Sequence, residues 1–143
     1  MDYLGAAAAA WFLGFFPLTE AAIAVPAALA SGLDTFSAIF WTVLGNLTPV
    51  LLIHYGYEGL MRIGRLRNWM DRLVSEKSKA RFDKWGVWFI LVFTPWIGVW
   101  AMGVTAKALQ IDSRRFIAFA FISVTIYAVV LTFILRAAAS LVN

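Results

Sequence analysis

The sequence predicts an all-α polytopic membrane protein with two inverted repeats, each a re-entrant helical hairpin plus one spanning helix. Three observations predict this fold class. Hydrophobic side chains make up 62% of the 143 residues and charged ones only 14%, which is far more apolar than a soluble domain. Two apolar segments are long enough to cross a bilayer, whereas four others are too short and are interrupted near a proline. This set of segments occurs twice along the chain.

The two long apolar segments are residues 35–60 and 116–139. Crossing a hydrocarbon core of roughly 30 Å takes about 20 helical residues, so both segments are sufficient. Asp34 precedes the first segment and Asp112 the second, each where an N-cap residue accepts hydrogen bonds from the first turn. We expect two spanning helices that begin near these aspartates.

Short apolar segments joined through a proline are typical of re-entrant hairpins, which enter the membrane and leave it on the same side. The four short segments are residues 4–16, 19–32, 85–94 and 96–110. Pro17 divides the first pair and Pro95 the second, while Pro26 and Pro49 are two further expected breaks. Alternatively, residues 4–32 form one proline-kinked spanning helix. The new Thr-Glu helix start after Pro17 favours the hairpin.

A basic linker, residues 62–84, separates the two halves. Eleven of the twelve Lys and Arg residues lie between Arg62 and Arg115. Four apolar side chains of the linker recur at helical spacing, namely Leu66, Trp69, Met70 and Leu73. This pattern predicts one amphipathic helix at the membrane interface. By the positive-inside rule, we expect the linker in the cytoplasm and both termini on the opposite side of the cell membrane.

The two halves align with an offset of 78 residues. The aligned pairs include Phe15 with Phe93, Pro17 with Pro95, Ala28 with Ala106, Asp34 with Asp112, and Ile39 with Ile117. We therefore predict a single membrane domain, residues 1–143, with repeat 1 at about 4–61 and repeat 2 at about 85–141. A hairpin plus one crossing makes an odd number of crossings. The second repeat is then inverted relative to the first, as in many secondary transporters.

Glu20 is the first candidate functional residue, because a carboxylate within an apolar membrane segment is rare and usually faces a cavity or the protein interior. A carboxyl group in apolar surroundings holds a proton more readily than in water, which suits proton coupling. Pro17, Thr19 and Glu20 also resemble a helix start, in which Thr19 caps the helix and the carboxylate faces its positive end. The two roles are compatible.

The aligned loop of the second half, residues 94–103, carries no charge. Gly98 stands at the position aligned with Glu20, and glycine permits close approach of the backbone. Trp96 and Trp100 are four residues apart, which predicts one helical face that offers a broad apolar wall to an amphipathic ligand. A belt of indoles at the membrane interface is the alternative.

Asn46 lies near the middle of the first long segment, where Pro49 frees a backbone carbonyl one turn earlier. A buried amide needs a partner or a substrate. Asn46 therefore belongs either to a polar clamp between helices or to a transport pathway. His54 is the only histidine and cannot form a metal site alone.

Motifs of enzymes are missing from the sequence, which has no cysteine, no glycine-rich phosphate loop, no HExxH and no nucleophile elbow. We therefore predict no catalytic residues, no metal, no cofactor and no nucleic-acid partner. Transport or lipid handling requires only a cavity, a few polar groups and two conformations.

The segments FPLTEAAIAVPAALASGLDTFSAIFWTVLGNLTPVLLI, RFDKWG and TPWIGVWAMGVTAKALQID together resemble the small multidrug export family over about residues 15–134. Two patterns carry the resemblance: Pro-x-x-Glu-x-x-x-x-x-Pro at Pro17, Glu20 and Pro26, and Gly-Asn-x-x-Pro at Gly45, Asn46 and Pro49. That family resembles in turn the DedA (SNARE-associated, VTT-domain) superfamily, which implies paired re-entrant loops and action on lipids or lipid carriers. The second loop departs from the relatives' PLPGTGAW type, and the arginine of DedA loops has no counterpart here.

We therefore expect a transporter or flippase for an amphipathic, lipid-like or drug-like molecule, proton-coupled through Glu20. Thr19 and Asn46 are the expected polar partners, and Trp96 and Trp100 the apolar wall. A single copy offers few helices to enclose a pathway, so we expect a homo-oligomer, with a dimer favoured, in contact with membrane lipids. The alternatives are a non-transporting membrane scaffold that organises lipid through the basic linker, and a small channel.

Overall fold

The computed structural model describes residues 2–142, and its regular structure is helical. In chain order the helices are α1 Tyr3–Phe15, α2 Glu20–Ala30, α3 Thr35–Met61, α4 Gly64–Leu73, α5 Glu76–Trp85, α6 Val87–Ile97, α7 Val99–Ala108 and α8 Ser113–Val142. The two long helices expected from the sequence are confirmed as α3 and α8, and both are long and apolar enough to cross a membrane. In each half of the chain two short helices precede a long one: α1 and α2 precede α3, and α6 and α7 precede α8. The helices α4 and α5 lie between these two sets.

The helices α1 and α2 are separate and are joined by a turn of four residues. Phe16 adopts an extended backbone because a following proline disfavours helical geometry, and Pro17 has no N–H with which to continue the helix. The two helices pack against each other. Ala6 and Ala10 of α1 are buried together with Ala28 of α2, since small residues allow membrane helices to approach closely.

The basic linker forms two helices, α4 and α5, where the sequence predicted one. A second helix begins because Ser75 caps α5 by accepting a hydrogen bond from the backbone N–H of Ser78. The apolar face of α4 is covered by protein: Met70 is buried, and the ring of Trp69 lies 5.4 Å from that of Trp100 in α7. The predicted interfacial helix is therefore a helix pair whose first member packs on α7.

The described residues form two compact units, and each long helix contributes to both. The first unit contains residues 2–46 and 124–142, and the second contains residues 47–123. These units do not coincide with the predicted sequence repeats, because α3 and α8 each run through a unit boundary.

In the second unit, α7 is enclosed on all sides. Every residue from 99 to 106 is buried, which is the pattern of a helix surrounded by protein. Gly103 permits close packing, since a Cβ at this position would lie 3.0 Å from the Ile53 side chain of α3. By contrast, α2 of the first unit buries only one face, formed by Ala21, Ala24, Val25 and Ala28.

The end of the second short helix has the same backbone geometry in both halves. Gly32 and Gln110, which are 78 residues apart, have left-handed φ values of +88° and +54°. The N–H that follows each of them bonds back to the helix, from Leu33 to the Ala28 carbonyl at 3.2 Å and from Ile111 to the Ala106 carbonyl at 3.0 Å. This six-to-one hydrogen bond is the Schellman ending of a helix.

Asp34 and Asp112 cap α3 and α8, as the sequence predicted. Each carboxylate accepts a hydrogen bond from the backbone N–H two residues later, at 3.0 Å from Phe36 and 3.1 Å from Arg114. The hydrogen bonds from the side chain and then the backbone of Ser37 hold the pKa of the Asp34 carboxyl below its ordinary value. The last residues of α2 and α7 are 78 residues apart, and so are the first residues of α3 and α8. The helix bounds therefore match the offset found in the sequence.

Candidate functional site

Three of the predicted residues lie where α1 and α2 join: Pro17 and Thr19 in the turn, and Glu20 at the start of α2. The hydroxyl of Thr19 donates hydrogen bonds to the backbone carbonyls of Leu13 and Phe16. It makes no capping hydrogen bond to α2, so the prediction that the Thr19 side chain caps this helix is wrong. Pro17 cannot donate to the Leu13 carbonyl, and the Thr19 hydroxyl replaces the missing N–H donor. Thr19 therefore fastens the turn to the end of α1.

Glu20 is the first residue of α2 and has a φ of +45°. A non-glycine residue in this left-handed region carries strain of about 1–3 kcal/mol, and such residues cluster at functional sites. The side chain of Glu20 is half-buried. The aligned Gly98 has a φ of +95°, so both halves use positive φ at this position. A glutamate stands in the first half where a glycine would be free of strain.

Asn46 lies in α3 and is 1% exposed. Its side-chain amide donates a hydrogen bond of 3.0 Å to the Thr42 carbonyl one turn earlier. The amide packs close to α1, because a Cβ on Gly14 would lie only 3.0 Å from Asn46 Nδ2. The buried position favours the interior over a lipid-facing role for this residue.

A close backbone contact between α1 and α3 holds Asn46 in this place. A Cβ on Gly45 would lie 2.1 Å from the Trp11 carbonyl oxygen, a distance that no side chain can occupy. The helices approach each other through Gly45 and Gly14, as small residues permit in membrane proteins. The sequence pattern Gly45-Asn46 thus has a packing role as well as a polar one.

In the first unit, three predicted polar residues come to the same end of α1. Thr19 contacts the Leu13 carbonyl, Asn46 lies beside Gly14, and Glu20 follows Thr19 directly. This group of Thr19, Glu20 and Asn46 is called the polar cluster below. It places a half-buried glutamate and a hydroxyl where the two short helices join, and a buried amide beside Gly14 near the same end of α1.

The predicted residues of the second loop do not form one wall. α6 ends at Ile97 and α7 begins at Val99, so the chain changes direction between the two tryptophans at Gly98. Trp96 is 80% exposed, whereas Trp100 is 8% exposed and packs on the linker. The expectation that both indoles share a helical face is corrected by this break. Trp100 is part of the second unit's packing, and Trp96 lies on its surface.

The prolines interrupt the helices less than the sequence predicted. Pro26, Pro49 and Pro95 lie inside α2, α3 and α6, which continue past them. In α6 the proline leaves the Leu91 carbonyl without its helical donor, and the buried hydroxyl of Ser123 in α8 donates to that carbonyl at 2.6 Å. Ser123 was missed by sequence reasoning. The signal was a proline whose freed carbonyl required a donor from elsewhere.

A small cavity in the second unit is lined by His54, Lys107 and Ser113 among apolar side chains. Its volume is about 10 Å³, which is room for about one water molecule. The buried Nδ1 atom of His54 has no protein hydrogen-bond partner. Among residues 2–142, no group of three His, Cys, Asp or Glu side chains is arranged to hold a metal ion.

The fold and the polar cluster define the class of protein as a small α-helical membrane protein with two membrane-length helices and paired short apolar helices. A family model described as "Putative small multi-drug export protein" matches residues 20–130. The chain belongs to this family. The family description suggests a role in multidrug export. Comparison with curated proteins and with solved structures gave no significant match.

Proposed function

We propose that this protein is a membrane transporter or flippase that exports an amphipathic, lipid-like or drug-like molecule, with the polar cluster as its substrate or proton site. One observation carries the proposal: Glu20 has a left-handed backbone where two short apolar helices join, directly after Thr19, and the buried amide of Asn46 lies beside Gly14 near the same end of α1. A carboxylate in such surroundings is costly and is characteristic of transport pathways. The proposed coupling ion is the proton, which Glu20 would take up and release.

The helix bounds support an inverted-repeat architecture in which the short helix pairs are re-entrant. The second short helices end at aligned residues, the long helices begin at aligned residues, and the turns between them share their hydrogen bonds. An odd number of crossings per repeat inverts the second repeat, and the basic linker then lies in the cytoplasm of a cell-membrane protein. The proposed kinship with the DedA superfamily, whose members act on lipids, agrees with a lipid-like substrate.

A homodimer is the proposed assembly. In α8 only 28% of the most apolar 18-residue stretch is buried, whereas in α3 50% of the corresponding stretch is buried. Phe121, Ile126 and Val130 are among the exposed apolar residues of α8. In a membrane this surface faces lipid or a second copy, and a second copy supplies the helices that one chain lacks to enclose a pathway.

Transport by purified protein in proteoliposomes tests the proposal. Three fluorescent probes cover the proposed substrate classes: a lipophilic cation, an anionic drug-like dye and a labelled phospholipid. We expect movement of at least one probe driven by a pH gradient, loss of that movement in Glu20→Gln, and its retention in the control Glu58→Gln, which alters an exposed carboxylate of α3. An unchanged thermal unfolding midpoint of Glu20→Gln verifies its fold.

Two outcomes contradict this function. If Glu20→Gln transports like the unaltered protein, Glu20 is not part of the mechanism. If the unaltered protein moves none of the three probes, the transporter proposal fails for these substrate classes, and currents that persist without a pH gradient would favour a channel.

A membrane scaffold is the second candidate, and the exposed charges of the linker favour it. Arg62, Arg65, Arg72 and Lys77 are exposed on α4, α5 and the turn before α4. In a scaffold, the charge reversals Arg65→Glu and Arg72→Glu would impair clustering of anionic lipid, and Glu20→Gln would have no effect. In a transporter, the order of these effects is reversed.

A further inference from the structure

An aromatic groove lies where the basic linker meets the first apolar helix of the second half. It is lined by Trp85, Trp88, Phe89, Val92 and Phe93 and has a volume of about 420 Å³. None of these five residues is polar or charged apart from the indole N–H groups. The volume is in the range of sites that bind drug-sized molecules, which are typically apolar with a small number of precisely placed polar groups.

The floor of the groove is fixed by ring contacts. Phe89 is fully buried, and its ring centroid lies 4.9 Å from that of Phe93. The ring of Phe82 in α5 packs edge-on against the Phe89 ring, with the centroids 6.3 Å apart. The outer wall is open, since Trp88 is 62% exposed and Trp85 is 55% exposed. The groove therefore combines a closely packed interior with a mouth that faces the surroundings of the protein.

Two cations lie beside rings that line the groove. The guanidinium carbon of Arg81 lies 5.7 Å from the ring centroid of Phe93, and the ammonium group of Lys84 lies 5.8 Å from that of Trp85. Both distances are within the range of cation–π contacts, which hold each charge beside a groove-lining ring. The nearby carboxylate of Asp83 is exposed and offsets part of this charge. Positive charge beside the rings of an apolar groove is complementary to an anionic amphiphile.

We propose that this groove binds an anionic phospholipid of the surrounding membrane, with an acyl chain against the aromatic rings and the phosphate on Arg81 and Lys84. The location agrees with this ligand, because a basic helix followed by an apolar one is expected at the level of the lipid headgroups. The site lies in the second unit, apart from the polar cluster residues in the sequence. Its occupation does not depend on whether the protein transports anything.

Tryptophan fluorescence in bilayers tests the site. The protein is reconstituted in phosphatidylcholine, and phosphatidylglycerol or further phosphatidylcholine with brominated acyl chains is added as a quencher. We expect half-maximal quenching at a mole fraction of brominated phosphatidylglycerol about fivefold below that of brominated phosphatidylcholine, since two basic residues attract the anionic headgroup. The variant Trp88→Phe identifies the reporter and removes most of the selective quenching.

Charge variants separate the groove from the general basic surface. The double variant Arg81→Gln with Lys84→Gln abolishes the preference for phosphatidylglycerol. The matched control Arg65→Gln with Arg67→Gln removes the same charge from exposed residues of α4 and leaves the preference unchanged. Equal quenching by both lipids in the unaltered protein overturns the proposal. So does an equal loss of preference in the two double variants, or full selective quenching in Trp88→Phe.

Discussion

The two halves of the molecule share a backbone plan and differ in where polar groups stand on it. In both halves a proline leaves the carbonyl of an aligned leucine without a donor, at Leu13 in the first and Leu91 in the second. In the first half the donor is the hydroxyl of Thr19, in the turn that follows. In the second half it is the hydroxyl of Ser123, in the long helix α8. The missing hydrogen-bond donor is thus replaced by a nearby residue in the first half and by a residue of a distant helix in the second.

The difference accounts for the unequal lengths of the interruptions. Where the turn itself supplies the donor, four residues separate the short helices and Glu20 follows with a strained backbone. Where α8 supplies the donor, α6 continues through its proline and one glycine separates the helices. The first half therefore has a turn with half-buried polar residues, whereas in the second half a buried glycine separates the two short helices.

Substitution of Gly45 gives the largest expected effect on stability. This contact between α1 and α3 has no counterpart in the second half. The aligned residue of the second half is Ser123, which has a side chain. In Gly45→Ala the added methyl meets the Trp11 carbonyl, and backbone atoms cannot yield without separating α1 from α3. We expect a loss of about 3 kcal/mol or more of the free energy of unfolding, measured by denaturant titration in mixed micelles.

Gly59→Ala is the matched control for that substitution. A Cβ at Gly59 of α3 has no neighbour within 4 Å, so the replacement of a helical glycine is expected to stabilise by about 0.5–1 kcal/mol. Equal effects of the two substitutions would contradict the close contact between α1 and α3.

The proline carbonyls give an intermediate effect. Ser123→Ala leaves the Leu91 carbonyl without its hydroxyl donor, and Thr19→Val does the same to the Leu13 carbonyl. We expect each to cost about 1–2 kcal/mol of unfolding free energy. In the background Pro95→Ala, the new N–H donates to Leu91 instead, so the cost of Ser123→Ala falls towards zero. If the effects of Pro95→Ala and Ser123→Ala on the free energy of unfolding are strictly additive, the Ser123 hydroxyl does not substitute for the N–H that Pro95 lacks.

The helix endings give the smallest effect, with opposite signs in the two halves. Gly32 and Gln110 both have left-handed φ, which glycine adopts without strain and glutamine only at a cost in free energy. Gly32→Ala should destabilise by about 1 kcal/mol, although its Cβ meets no neighbour. Gln110→Gly should stabilise by about 0.5 kcal/mol. Thermal unfolding midpoints of the two variants measure the signs, and shifts in the same direction would refute the matched endings.

The sequence predicted those features that depend on neighbouring residues. The long apolar runs predicted α3 and α8, and the aspartate caps were predicted because an N-cap acts on its own helix. Thr19, Glu20 and Asn46 were singled out because polar groups in apolar segments need no structure to be noticed. The second helix of the linker could also have been anticipated from the Ser75 cap.

The sequence could not show what depends on contacts between distant segments. Pro95 ends a helix only if its freed carbonyl finds no other donor, and Ser123 supplies one from 32 residues away. The break moved to Gly98, and this separated the faces of Trp96 and Trp100. In α4 the apolar face suited either a membrane interface or another helix, and only the contact with Trp100 decides between them.

The inverted relation of the two halves is the central claim, and single-cysteine labelling tests it most directly. The natural sequence contains no cysteine, and Ala30 and Ala108 are a matched pair: both are exposed alanines that end the second short helix of their half. A membrane-impermeant maleimide is applied to cells that express Ala30→Cys or Ala108→Cys. We predict that Ala30→Cys is labelled in intact cells and Ala108→Cys only after permeabilisation. Labelling of both from the same side would contradict the inverted repeat.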